Sequence, residues 1–155
     1  MSIPWSEKFE TGIADIDREH RHLVDLTNTL DSALEVPEPH VLTMVFMQLA
    51  GYICHHLVSE ETLAARHRID AALQETLHRE HQAFVATIGR LQKQMESAPV
   101  KTARELHACL DDFIHNHVLT TDFALAAALP QDLSQNHHEA DDAERRSRVL
   151  RVVGS

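Results

Sequence analysis

Ile16, His20, Leu23, Thr27, Leu30 and Leu34 recur at intervals of four and three residues, the repeat of one helix face. Val36-Pro37-Glu38-Pro39 stops that run. A second stripe passes through Leu42, Val45, Leu49, Tyr52, His56, Glu60 and Leu63. A third comprises Leu73, Leu77, His81, Phe84, Ile88, Leu91 and Met95, ended by Ser97-Ala98-Pro99. The fourth holds Leu106, Leu110, Phe113 and His117, runs on into Thr120 and Ala124, and is closed by Leu129-Pro130. Four stripes of helical length with short connections predict an all-α protein, an up-down-up-down four-helix bundle with each stripe facing a shared core. Residues 1–15, with Pro4, Trp5 and Gly12, lack the period and read as an N-terminal arm over the core.

Residues 131–155 differ. Polar Asn136-His137-His138-Glu139 precedes the i,i+4 pairs Asp141–Arg145, Asp142–Arg146 and Glu144–Arg148, then Val149, Leu150, Val152 and Val153. The expected division is a bundle domain over 1–130 and a charged C-terminal helix or linker over 131–155. That last segment either packs on the bundle or leads to a signalling domain absent from this chain.

Composition narrows the function. With 43% hydrophobic and 25% charged residues the chain is globular rather than disordered. Only 4 Gly and 5 Pro argue against many short strands and turns. The formal charge of -10 disfavours nucleic acid and anionic membrane surfaces as partners. No stretch of about 18 apolar residues stands out, so no membrane span is expected. Met1–Glu7 lacks the basic and apolar regions of a signal peptide, and the chain reads as cytoplasmic. Cys54 and Cys109 form neither a disulfide scaffold nor a Cys-rich zinc motif and read as small buried apolar residues. Histidine is the outlier: 13 residues, against 14 Lys and Arg together, point toward metal.

Each stripe carries one histidine near mid-helix: His20, His56, His81 and His117. One core histidine is ordinarily a satisfied structural residue. Four, one per helix at one level of a bundle, are not explained by packing. Glu60 lies four residues after His56, about 40° away on the same face. Asp122 lies five residues after His117, about 140° away, and reaches the centre only if the helix is underwound or the side chain swings inward. Four imidazoles and two carboxylates suit a pair of six-coordinate first-row ions and leave ligands over for a single tetrahedral zinc.

These motifs resemble a known family. Trp5…Gly12-Ile13…Ile16-Asp17-Arg18-Glu19-His20…Leu23 is similar to the opening of the bacterial hemerythrins. His56-Leu57-Val58-Ser59-Glu60-Glu61 resembles their HFxxEE, with Leu for Phe. His81-Gln82-Ala83-Phe84 resembles the end of their HxxxHxxF, and His117–Asp122 their H-x4-D. The resemblance covers about residues 5–129 and implies a non-heme di-iron centre with a bridging oxo or hydroxo that takes O2 at an open position. It implies His20 and His56 on one iron, His81 and His117 on the other, and Glu60 and Asp122 bridging.

Leu77 departs from the pattern, which has a histidine four residues before His81. The implied centre then has two histidines per iron and one open position on each. His78 is the candidate replacement ligand, about 100° round from Leu77 toward solvent. Leu23, Leu49, Leu77, Phe84 and Phe113 are the expected walls of a dry O2 pocket. Two exchangeable positions invite oxidation, so the expected role is an oxygen or redox sensor input, non-enzymatic in itself, for O2 or another diatomic ligand. Family members are often joined to signalling output domains, which the C-terminal segment would serve. The alternatives are an O2 carrier or storage protein, a di-iron oxidase or peroxide- or NO-handling protein, and a metal-free helical interaction module. Glu61, about 100° from Glu60, is read as pointing away from the centre. An acidic bundle of this kind is also a candidate homodimer.

Overall fold

The structure, a computed structural model, is described here over residues 2–36 and 38–134. The expected C-terminal helix and the His137-His138 pair lie outside the described residues. Four long helices build the described chain, and no strand occurs among the described residues. The first is Ala14–Ser32. The second runs continuously over Pro39–Arg66, with a π-helical stretch at Ile53–Leu57. The third is Ala71–Gln94. The fourth passes through Pro99–Phe113, the π-helical Ile114–Asp122 and Phe123–Ala128. The first helix packs on the second and fourth, and the third packs on the same two, giving the antiparallel bundle.

Local chemistry sets the corners. Pro39 and Pro99 open their helices, where a missing N–H is harmless. The second helix ends with Arg68 at φ 52, the Ile69 N–H donating to Ala64 O at 3.0 Å and the Arg68 N–H to Ala65 O at 3.2 Å. That is a Schellman turn, with Ile69 and Ala64 in one buried cluster. Asp70 then caps the third helix by accepting from the Ala72 and Leu73 amides.

The arm is fastened at two points. Ile3 exchanges backbone–side-chain hydrogen bonds with Asn28 at 2.6 and 2.7 Å. Asp17 accepts from Thr11 N and Oγ1, both at 2.7 Å, and from Gly12 N at 3.1 Å. Gly12 sits at φ 87, a conformation that strains any side chain. Trp5 and Phe9 stack and pack against the core, with Arg21 over the indole.

The core is two clusters. The larger includes Leu23, Leu30, Leu42, Leu49, Phe84, Leu106, Leu110, Phe113 and Val118. The smaller holds Ile13, Ile16, Ala64, Ile69, Leu77, Leu125 and Leu129, with Leu133 packed against it. On every helix the stripe histidine falls between a residue of one cluster and a residue of the other.

Three expectations are corrected. The fourth stripe does not continue into Thr120 and Ala124, which are exposed; Thr121, Asp122 and Leu125 are buried instead. The π turn adds one residue and moves the inward face on by one position. Pro39–Arg66 is long and apolar enough, by length and composition alone, to cross a membrane, although no such stretch was expected. Its apolar character reflects a buried face through Leu42, Val45, Leu49 and Tyr52 together with an outer face bearing Met44, Met47 and Val58. Cys54 is exposed and Cys109 half-buried, so neither is a core cysteine.

Leu110 has no exposed surface and sits in the larger cluster. Leu110→Ala should lower the unfolding free energy by about 2–5 kcal/mol, read from the urea midpoint at unchanged slope.

Candidate metal centre

His20, His56, Glu60, His81, His117 and Asp122 meet at one level of the bundle, and all six are buried. His20 comes from the first helix, His56 and Glu60 from the second, His81 from the third, and His117 and Asp122 from the fourth. The π winding resolves the question left by the H-x4-D spacing. Hydrogen bonding from i to i+5 closes a turn with one extra residue. Asp122 therefore returns to the side of His117, with Oδ1 2.8 Å from His117 Nε2.

The donor atoms divide into two overlapping groups. His20, His56, Glu60 and Asp122 form one, and Glu60, His81, His117 and Asp122 the other, the atoms of each lying within 4.8 Å of one another. Glu60 Oε1 is 3.1 Å from His56 Nε2 and 3.7 Å from His20 Nε2, while its Oε2 is 3.2 Å from His81 Nε2. Asp122 presents Oδ2 to His20 Nε2 at 3.0 Å and Oδ1 to His117 Nε2. Both carboxylates thus straddle the two groups, one oxygen toward each.

These contacts are close but poorly satisfied as hydrogen bonds. Both Glu60 oxygens, Asp122 Oδ1 and His56 Nε2 are buried without an aligned partner. His81 Nε2 and His117 Nε2 face each other at 3.1 Å. The outer nitrogens of those rings are claimed by carboxylates: His81 Nδ1 donates to Glu61 Oε1 at 2.9 Å and His117 Nδ1 to Glu80 Oε2 at 2.5 Å. Carboxylates accept only, so the Nδ1 atoms carry protons and the Nε2 atoms are left facing each other within the layer. Close-set ring nitrogens beside carboxylate oxygens without aligned partners are a donor set that suits a cation. The residues therefore fit a pair of ions, each reached by two imidazole nitrogens and two carboxylate oxygens.

Electrostatics agree. Burial works to lower the His20 pKa, but the adjoining Asp122 and Glu60 outweigh it and raise it to about 9. His117 is raised against the same opposition, chiefly by Asp122. Burial acts to lift Glu60, yet the surrounding imidazoles, His56 foremost, hold it well below the usual carboxylate range.

The remaining expected residues fall on different sides. Leu23, Leu49, Phe84 and Phe113 lie together in the larger cluster, and Phe113 lies flat on the His117 ring at 4.3 Å. Leu77 is buried in the smaller cluster, apart from those four, because it lies one turn before His81 and Phe84 one turn after. The single five-residue pocket is thus divided by the polar layer. His78 stays outside both donor groups; its side chain is 61% exposed and its Nδ1 contacts Glu61 Oε2 at 3.0 Å. Glu61 does turn from Glu60, and that turn aims it at His81. Glu61 and Glu80 are the participants that stripe reasoning missed. The Glu60-Glu61 doublet was a visible hint for the first. Glu80 acts across to the fourth helix, where Thr121 Oγ1 also donates to it at 2.7 Å, and spacing carries no trace of that.

Two cavities reach the layer from outside. One of about 250 Å³ is lined by Glu80, Phe84, Cys109, Asp112, Phe113 and His117, among others. The other, of about 280 Å³, is lined by Ile16, His55, His56, Ser59, Leu63 and Leu133, among others.

Comparison with known proteins gives a consistent result. The family model described as Hemerythrin HHE cation binding domain matches residues 11–129. A protein named bacteriohemerythrin from Pseudomonas paraeruginosa is 26% identical over 135 residues, covering 86% of this chain and 85% of its own. Another bacteriohemerythrin, from Stenotrophomonas maltophilia, is 24% identical over 151 residues, covering 96% and 95%. No solved structure matches the chain.

A histidine raised from 6.5 to about 9 contributes stability that is complete below pH 6.5 and disappears as pH rises through 9. The metal-free protein should therefore lose several degrees of Tm between pH 6.5 and 9. Metal displaces the proton, so the loaded protein should be nearly flat across that window. Thermal unfolding of both forms against pH checks this; a flat metal-free profile contradicts it.

Proposed function

The chain belongs to the hemerythrin family, and on that premise we propose that it holds a non-heme di-iron pair, binds O2 or another diatomic ligand there, and serves as an oxygen or redox sensor. It is a hemerythrin-like metal-binding domain whose His, Glu and Asp clusters could bind metal. The observation that carries the finer reading is the pair of buried donor groups sharing Glu60 and Asp122. In this reading His20 and His56 would hold one iron and His81 and His117 the other, with Glu60 and Asp122 shared between them.

When bound, the iron pair supplies an open coordination position and the electrons that O2 takes up. The chain's own part is to orient and to exclude water. Tyr52 stacks on His56 at 4.8 Å and Phe113 on His117, fixing two ring planes. Leu23, Leu49 and Phe84 close the layer on one side, and Leu77, Ile16 and Leu125 on the other. Leu77 stands where the family motif carries a further histidine, and His78, committed to Glu61, does not replace it. The residues that would hold each iron are then two imidazoles and the two shared carboxylates, a set that would leave a position for exchange on each and so suit oxidation better than reversible storage.

The sensor reading draws on the exit of the chain. Leu133 packs against the cluster that contains Leu77 and lines the cavity that reaches His56. In this reading a change at the site would reach Leu133 through that cluster and pass from there to an output domain. Glu61 and Glu80 stand on the outer nitrogens of the imidazoles, so they do not serve as acid or base toward a ligand on the inner side. The chain is accordingly non-enzymatic in this reading, with 1–130 as its sensing domain. The free, exposed Cys54 suits a reducing, cytoplasmic setting.

Protein made in iron-replete medium should contain two irons per chain and show oxo-bridged diferric absorption. After anaerobic reduction, air should restore the diferric spectrum rapidly. An oxygenated band lasting many minutes would instead identify a carrier, and a lone zinc or no stoichiometric metal would sink the di-iron reading.

A further inference from the structure

The two donor groups have the same first set of atoms, two imidazoles and the two shared carboxylates. What stands behind the imidazoles differs. His81 donates Nδ1 to Glu61, itself held by His78, and His117 donates Nδ1 to Glu80, itself held by Thr121. On the other side His20 Nδ1 is buried without a hydrogen-bond partner, and the ion pair found for His56 among the described residues is to Glu60 in the layer itself, with Glu19 lining the cavity beside it. A carboxylate behind an imidazole fixes its tautomer, orients its ring and makes it a stronger donor, and it adds negative charge near the ion. Leu77 has removed a neutral donor from this same His81/His117 side. Two anionic partners occupy the surroundings of the site that lost a ligand.

We propose that the two half-sites are unequal, the His81/His117 position binding its ion more tightly and filling first, with Glu61 and Glu80 as the positioning residues that set this order. The proposal rests on the di-iron reading above. It makes the one-ion protein a defined species rather than a statistical mixture, with the His20/His56 position the one that exchanges.

The test is anaerobic calorimetric titration of the metal-free protein with ferrous ion, on the wild type, Glu61→Gln, Glu80→Gln and the exposed control Glu75→Gln. Gln keeps the size and an acceptor oxygen while removing the charge, and both target positions are about a third exposed, so folding is not at stake. The wild type should bind in two steps at least about 10-fold apart. Each of the two variants should weaken the His81/His117 position by about 10-fold, narrowing or closing the gap between the steps, and leave the other position within about 2-fold. Glu75→Gln should match the wild type. The metal-free Tm should fall only slightly in Glu61→Gln and Glu80→Gln, each losing a partly exposed ion pair, while the Tm gain on adding one equivalent of iron should shrink in those two variants and not in Glu75→Gln. A merely structural role would lower the metal-free and the loaded Tm alike and leave the gain unchanged, and that result overturns the proposal. Two ions bound by the wild type in one indistinguishable step, or both positions weakened alike in the variants, also overturns it while leaving the di-iron reading standing. Failure of the wild type to take up two ions overturns the di-iron reading itself.

Discussion

Six polar side chains that water would solvate are buried at one level of a helical bundle, and the rest of the molecule is arranged around that burden. An unpartnered carboxylate or imidazolium in an apolar interior is costly by several kcal/mol, and removing one member of such a group exposes the others to that full penalty. The sequence meets the demand by concentrating the groups so that each neutralises its neighbours. Apolar clusters above and below keep water from competing, and they split the core in two as a result. Stability and site are therefore not separable here. The layer that weakens the core in the absence of a cation is the layer that joins its halves when a cation is present.

Leu77 bounds the layer from the smaller cluster, one turn before His81, and adds apolar contact there. On the outer side of the His81 ring stands Glu61 and on that of His117 stands Glu80, both partly exposed and so inexpensive to keep ionised. Partial exposure also leaves these two carboxylates in contact with solvent while they touch the rings that line the centre. They link the interior to the surface, Glu80 beside the cavity that it lines together with His117.

Much of this was legible in the residues. Helical periodicity gave the four elements, and the recurrence of one histidine per stripe gave the level at which they meet. His56 and Glu60 could be paired because a regular turn brings i and i+4 together. Asp122 could not be placed by spacing alone, since the answer depended on backbone winding, which a hydrophobic pattern records only as a slip from Thr120 to Thr121. Glu80 was illegible for another reason: its partners, His117 and Thr121, lie on a different helix, and no local period encodes a contact across a bundle. Leu23 and Leu77 looked equivalent on their stripes, yet they lie on opposite sides of the layer, because a stripe tells which face is inward but not which half of the core it fills.

The π-helical stretch at Ile114–Asp122 has a consequence for how this chain can change over generations. Most surface positions of a helix tolerate substitution, and a replacement anywhere in the stretch leaves the count of residues intact. A deletion of one exposed residue between His117 and Asp122 need not break the pair, because four residues of ordinary α-helix also bring two side chains to one face, as they do for His56 and Glu60. The winding and the extra residue are therefore gained or lost together, and the count of residues between two donors is free to change by one where the backbone winding changes with it.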